Sequence, residues 1–557
     1  MEILSVITDF LSGKVVPFVV LLGILVFIHE FGHFIVARLN GVRVETFSLG
    51  FGKKIFQIKR GDTVYCLSLI PLGGYVKMFG EQPGDHISEA DKPVSFTHKT
   101  VLQRISIVLA GPLMNLFFAV FLFALVAGLG EEKKPAILGD VAINSPAFEM
   151  GFRPGDQILK VAGQPVETWD DLQDRLDDAK NQSVQFEIKS KLKSEPTELS
   201  VQVGSTSNPN PLALSKTSGN IEGFQYYSNG STVGIQKGSI LDGLGIKTGD
   251  TLTSVNDQSV LYWREVEALD KTLNPGQQLN LVFERLVSEK TGKTDTLNIN
   301  VQVPKEGNFA SLGIEKSDLY LARVLEGSPA SKAGLKENDK LVAINGVQLS
   351  EWDQVLSTIK NYAPEAGSVK FSILRDGQKS DLMITPQMTG HMTTGGREEK
   401  RYTIGIVPLI AMATEKSMIV KTTNPIKAIA IGTKKSYDMT VMTLMSFVRL
   451  ISGEISSKNV GGILSIGQAA SESFKAGFNY FIQMMGVISI SLFVLNLLPV
   501  PVLDGGHILF YTIELIKGSP VSLKKMEIAQ QVGLVLLMSL MLFALFNDVN
   551  RVFFGSY

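Results

Sequence analysis

Four stretches of the chain stay apolar for long enough to cross a bilayer, which takes about 20 residues. They run from Val15 to Ala37, Ile105 to Gly130, Ala476 to Leu503 and Ile528 to Asn547. Between the second and third the pattern changes to short alternating runs broken by glycine, asparagine and aspartate turns, which is how half-buried strands read. Residues 53–81, "KKIFQIKRGDTVYCLSLIPLGGYVKMFGE", also alternate and turn at "RGD", predicting a β-hairpin. Further on, Ile426, Ala430, Tyr437, Val441, Leu444, Val448 and Ile451 recur mostly at three- and four-residue steps. That spacing predicts an amphipathic helix, whose length and charges suit the membrane surface better than a span.

The alternating region repeats itself. "SPAFEMGFRPGDQILKVAGQPVETWDDL", "GSILDGLGIKTGDTLTSVNDQSVLYWREV" and "GSPASKAGLKENDKLVAINGVQLSEWDQV" share one plan. Asp156, Asp250 and Asp339 each precede a tryptophan (Trp169, Trp263, Trp352) by thirteen residues. The repeats are a small domain apart, too far for a solenoid. Each reads as a strand, a short helix, a GD or ND turn, an alternating strand and a helix opening near the tryptophan.

Composition fits a chain with membrane and aqueous parts: of 557 residues, 45% are hydrophobic and 19% charged, against about 25% charged in soluble domains. The net charge of −1 gives no support to nucleic-acid binding. A single cysteine, Cys66, excludes an internal disulfide and a CxxC metal site. Glu2 and Asp9 stand where a signal peptide carries basic residues, so the first span is expected to be retained. The loop after it holds Arg38, Arg43, Lys53, Lys54, Lys59 and Arg60 among other cations, which places it in the cytoplasm. The stretch 131–475 and both termini then fall on the opposite side, and Lys517, Lys524 and Lys525 return to the cytoplasmic one.

Against this background "VFIHEFGHFIVARL" (26–39) stands out, because it sets three ionisable groups inside the first span. Each costs roughly 2.5 kcal/mol or more at a helix centre, so such groups mark function. His29 and His33 are four residues apart and share one helix face. This is the HExxH pattern, with two imidazoles for one zinc ion and Glu30 placed to take a proton from water. A catalytic zinc wants a third protein ligand. "NLLPVPVLDGGH" (496–507) offers Asp504 at the cytoplasmic end of the third span, followed by two glycines. His29 lies about 21 Å along the first span at 1.5 Å per residue, in the same leaflet.

The HEFGH helix, the "AGPLMN" opening of the second span, the "NLLPVPVLDGG" segment and the inserted repeats together resemble the site-2 protease family of intramembrane zinc metalloproteases. The similarity is strongest to its bacterial branch, which regulates the sigma-E envelope-stress response. The repeats resemble permuted PDZ domains, which bind extended peptides or C-termini by strand addition; "SLGIE" (311–315) is one candidate carboxylate loop.

The resemblance implies a polytopic α-helical membrane protein with four transmembrane helices, a cytoplasmic reentrant β-hairpin and an inserted tandem array of α+β PDZ-like domains. The expected division is a membrane core at 1–130, PDZ-like repeats at 131–225, 226–305 and 306–407, amphipathic surface helices at 408–475 and a second core segment at 476–557. It implies zinc on His29, His33 and Asp504, Glu30 as the catalytic base, and Asn496 and Pro499 as substrate contacts. His507 receives no metal role. The implied partners are a single-span, anti-sigma-factor-like membrane substrate already trimmed by another protease, remnant signal peptides, peptides at the repeats, and the lipid bilayer. The implied location is the bacterial inner membrane, with the repeats and both termini periplasmic. One departure is plain: the family branch usually has two PDZ domains, and three are counted here. The competing reading is a silent membrane scaffold with a structural metal, against which Glu30 argues, since a structural site needs no base.

Overall fold

The computed structural model describes residues 15–81, 87–142, 144–190, 195–210, 212–288, 293–392 and 398–554. Its long helices are α1 (Val16–Leu39), α2 (Val101–Leu129), α3 (Pro425–Ile451), α4 (Ile463–Ala476), α5 (Phe478–Leu497), α6 (Asp504–Lys517) and α7 (Leu523–Phe554). Four of them, α1, α2, α5 and α7, are long and apolar enough to cross a membrane, and they match the four apolar runs. Helix α2 opens with a capping box. Thr100 Oγ1 accepts from the Gln103 amide, while Gln103 Oε1 accepts from the Thr100 amide, which satisfies two otherwise unpaired donors. It is the middle helix of the bundle, with α1, α3 and α5 packed around it. Leu21, Leu25, Leu122, Val126, Phe481 and Met485 form the apolar seam where α1, α2 and α5 meet.

Between α1 and α2 lie β1 (Val44–Arg60) and β2 (Thr63–Met78), joined at Gly61 with φ +64°. The predicted hairpin is there, and the sheet is wider than a hairpin. Thr46–Leu49 faces both Gly74–Lys77 and Val64–Leu67, while Lys54–Arg60 faces Thr63–Ser68, giving four segments side by side. The inner part packs on the bundle, with Phe47, Val76 and Met78 against Ala37, Ile107 and Val108. The outer part leaves Phe51, Ile55, Phe56 and Ile58 exposed.

Helix α3 forms at the predicted place, yet the surface position expected for it does not describe its packing. It lies against α2 and α5, with Ala428, Gly432 and Ser436 buried. A Cβ on Gly432 would stand 2.5 Å from the Val120 carbonyl oxygen. Three small residues at four-residue steps let two helix backbones come this close, as in lipid. The apolar positions that suggested a surface helix, Ile426, Tyr437, Leu444, Val448 and Ile451, face outward.

The insert contains three α+β units with the same strand order. The sheet of the first runs Gln164–Pro165, Gln157–Val161, Ser183–Lys189, Thr197–Gln202, and the second and third repeat this around Thr251–Val255 and Lys340–Ile344. The longer helix of each starts at its tryptophan: Trp169–Asp178, Trp263–Asp270 and Trp352–Lys360. Each unit has its own buried core. The repeated aspartates are buried turn-builders. Asp250 accepts from the Lys247 amide and from Arg285, and Asp339 accepts from the Lys336 amide and from Arg375. These pairings raise the pKa of both guanidinium groups further.

The boundary expected at 305/306 falls inside the second unit. Phe309, Leu312 and Ile314 belong to its core, and strand Ile314–Lys316 pairs with Val233–Ile235. "SLGIE" is therefore engaged in closing that unit. The insert leaves and rejoins the bundle at one place, where Glu131–Lys133 pairs with Met418–Val420.

Candidate metal centre

The centre is built where α1 crosses α2. A Cβ on Gly32 would lie 2.4 Å from the Ala110 carbonyl oxygen, and one on Gly111 would lie 2.2 Å from His33 Nε2. The glycines of "HEFGH" and "AGP" are thus the condition for the contact, and the His33 ring occupies the space a side chain at 111 would take. Pro112 follows in α2; it has no amide to donate and loosens the turn before it. In that turn the Ile107 carbonyl accepts from His33 Nδ1 at 2.9 Å, which leaves Nε2 with its lone pair free for a metal.

Asp504 arrives from the other half of the chain, in the first turn of α6. Cβ atoms on Gly505 and Gly506 would fall 2.3 Å from the Leu498 carbonyl oxygen and 2.4 Å from Pro501 Cα. Only glycines let α6 start folded back on the 498–503 turn. His29 Nε2 and His33 Nε2 are 3.2 Å apart, and they stand 3.1 Å and 3.5 Å from Asp504 Oδ2. An ion held tetrahedrally at about 2.0–2.2 Å sets donor–donor edges of about 3.4 Å. The three edges fit that figure, and two imidazoles with one carboxylate are a donor set zinc accepts. Among the described residues this is the one group of histidine, cysteine and acidic side chains that meets the spacing for a metal.

The centre faces a cavity of 1320 Å³ whose wall includes His29, Glu30, His33, Tyr75, Asp504 and Glu527. Glu30 sits beside the two histidines and accepts from the Val76 backbone amide. The segment carrying Val76 is an edge of the four-segment sheet, and a Cβ on Gly74 would be 3.2 Å from Glu30 Cγ. Strand edge, Glu30 and the three candidate donors therefore share one chamber. Glu45, Lys77, Glu81, Arg104 and Glu514 line it too, and so give water a polar path.

The structure brings together His29, Glu30, His33 and Asp504. Asn496 lies half-buried near the end of α5, and Pro499 is exposed in the turn that follows; neither lines the cavity. His507 lines it without joining the three donors. Sequence reasoning gave no role to Asn115, whose carboxamide meets His29 Nδ1 at 3.3 Å, or to the sheet edge at Gly74–Val76. For Asn115 the signal was available: it is a polar residue in the middle of an apolar span.

A paired-imidazole and carboxylate centre beside a free carboxylate, enclosed by apolar helices, defines a metallohydrolase working inside a membrane bundle. Residues 17–540 match Peptidase family M50, and the chain belongs to this family. It is 31% identical over 536 residues to the regulator of sigma-E protease RseP of Salmonella typhimurium, covering 96% of this chain and 98% of that one. The Escherichia coli protein of the same name is 30% identical over 542 residues, with the same coverage. A Neisseria meningitidis protein classed by name with the zinc metalloproteases is 31% identical over 545 residues, again covering 96% and 98%. A solved PDZ domain protein from Parabacteroides distasonis aligns with 52% of this chain and 98% of its own, at 11% identity and a TM-score of 0.14, too low to bear on the fold. The chain is an intramembrane metalloprotease.

Proposed function

We propose that the chain hydrolyses a peptide bond in or beside the transmembrane helix of a single-span protein, with zinc held by His29, His33 and Asp504. The observation that carries this is the three converging donors with Glu30 next to them in one cavity. Zinc bound there supplies a Lewis acid for the scissile carbonyl and acidifies the attacking water. Glu30 takes the proton from that water and returns it to the leaving amine. His29 and His33 each present Nε2 to the site. A helical substrate hides its carbonyls in its own hydrogen bonds, so it must be drawn out locally. The Gly74–Met78 edge offers backbone groups to hold it extended beside Glu30, as strand addition does elsewhere. Asn496 and Pro499 are the proposed further substrate contacts, reached when a substrate lies along the 498–503 turn.

The three units are proposed as PDZ-like domains on the periplasmic side of a bacterial inner membrane, with the metal centre towards the cytoplasm. The basic loop between α1 and α2 supports that sidedness. The exposed Phe51, Ile55, Phe56 and Ile58 support a hairpin that dips into lipid. The proposed substrate is an anti-sigma-factor-like protein already shortened outside the membrane, with remnant signal peptides as a second group; the name shared by two relatives, regulator of sigma-E protease, supports a part in that signalling. The insert then acts as a size filter, and deleting residues 135–400 should let untrimmed substrate be cut.

The deciding experiment compares wild type with Glu30→Gln, measuring zinc content and cleavage of a model transmembrane substrate. Stoichiometric zinc in both and cleavage only in wild type is the expected result. Zinc in both with equal cleavage would remove Glu30 from the mechanism, and wild type without zinc would remove the metal centre.

A further inference from the structure

Both histidine rings are steadied by α2, but by different kinds of group. His33 Nδ1 meets a backbone carbonyl, which can only accept, so its proton is fixed on Nδ1. His29 Nδ1 meets the Asn115 carboxamide, 3.3 Å from Nδ2. Asn115 is fully buried, and its Oδ1 has no hydrogen-bond partner among the described residues. Ser489 of α5 donates to the Asn115 backbone carbonyl at 2.7 Å. The residue's place in α2 is thereby held, while a half-turn of its amide exchanges oxygen and nitrogen without moving anything else.

The two arrangements of that amide answer to two states of His29. When Nε2 carries a proton and donates it to Asp504, Nδ1 is an acceptor and the amide NH2 belongs against it. When Nε2 gives its lone pair to a metal, Nδ1 must carry the proton and needs an acceptor. The half-turned carboxamide supplies one and gives the unpaired Oδ1 its partner. We propose that Asn115 is a positioning residue for the metal: its Oδ1 accepts from His29 Nδ1–H and holds His29 in the tautomer and orientation that present Nε2 to the ion. The inference rests on the proposed role of His29 as a ligand. It also accounts for an asparagine in a span where an unused polar side chain is costly.

The test is zinc affinity of the full-length protein in detergent, by competition with a chromophoric chelator, together with the visible absorption of the cobalt-substituted protein. Asn115→Asp keeps an acceptor towards Nδ1, whereas Asn115→Leu and the smaller Asn115→Val remove it. Loss of such a partner weakens metal binding about 10–100-fold, so both apolar variants should bind zinc at least about tenfold more weakly. By the same reasoning Asn115→Asp should stay within about threefold of wild type and keep the cobalt spectrum. Two apolar variants are used so that a folding failure of one leaves the other to be read. Wild-type affinity in a folded apolar variant would overturn the inference alone. So would an Asp variant as weak as the apolar ones, because the residue would then matter for its shape. Wild type that takes up no zinc would overturn the metal centre first and this inference with it.

Discussion

Helices α2 and α7 are nearly the same object as sequences and quite different ones in the fold. The most apolar 18 residues of each have mean hydropathy 2.3 and 2.1, yet those of α2 are 50% buried inside the protein and those of α7 22%. Lipid is as apolar as leucine, so hydrophobicity does not say which helix is surrounded by protein. What separates them is where small and polar residues stand. Gly111 and Asn115 of α2 meet His33 and His29 directly. The buried residues of helix α7 are fewer: Gly533, set against Pro501 and Val502, and Ala544, Asn547 and Asp548 near its end. Between them Val535, Leu536, Met541 and Leu542 are exposed.

The largest effect expected from this contrast is at Gly111. A methyl group there would lie 2.2 Å from His33 Nε2, so Gly111→Ala should abolish zinc uptake and cleavage. Gly23→Ala, with nothing within 4 Å of its Cβ, should match wild type. Normal zinc content in Gly111→Ala would break the assignment of α2 as the wall of the site. Nearly as large is metal removal. Stripping with a chelator should reduce cleavage to background, and zinc should restore it, while near-ultraviolet signals of the three tryptophans stay unchanged because each unit has its own core. A tryptophan signal that collapsed with the metal would tie the insert to the centre.

A smaller effect is expected at Asp548. This buried carboxylate accepts from the Gly462, Leu464 and Ser465 amides and from the Ser465 hydroxyl. It thus caps α4 from another helix, and capping groups are worth about 0.5–2 kcal/mol. Asp548→Ala should lower the thermal midpoint and expose the 457–465 segment to protease, with Asp548→Asn in between. An unchanged midpoint would mean that α4 starts without this cap. The smallest effect is Leu536→Ala on the open face of α7, expected within about 0.5 kcal/mol of wild type. A loss as large as that of Asp548→Ala would show a partner covering α7.

The same contrast explains what can be read from the sequence. The four spans are legible from length and hydropathy, and His29, Glu30 and His33 from the cost of placing them in one span. Asp504 is legible because it is a carboxylate followed by two glycines at the end of the third apolar run. The packing of α3 is not, since Lys434, Lys435, Asp438 and Arg449 mask the Ala428, Gly432 and Ser436 stripe that makes the contact. The end of the second unit is hidden for another reason: Ile314–Lys316 pairs with a strand some eighty residues earlier, and local periodicity carries no trace of a long-range partner. The four-segment width of the sheet is hidden likewise, because Thr46–Leu49 is shared between two neighbours.

The ribbon of Glu131–Lys133 with Met418–Val420 has a consequence for how such a chain changes over time. Because departure and return lie side by side, the two ends of the insert keep one spacing whatever length of chain hangs between them. The pairing of Ser228–Asn229 with Met412–Ala413 repeats the arrangement one step out, enclosing the second and third units. A whole unit can be gained or lost at such a joint without moving an atom of the catalytic chamber. The number of units is then free to change with no change in chemistry.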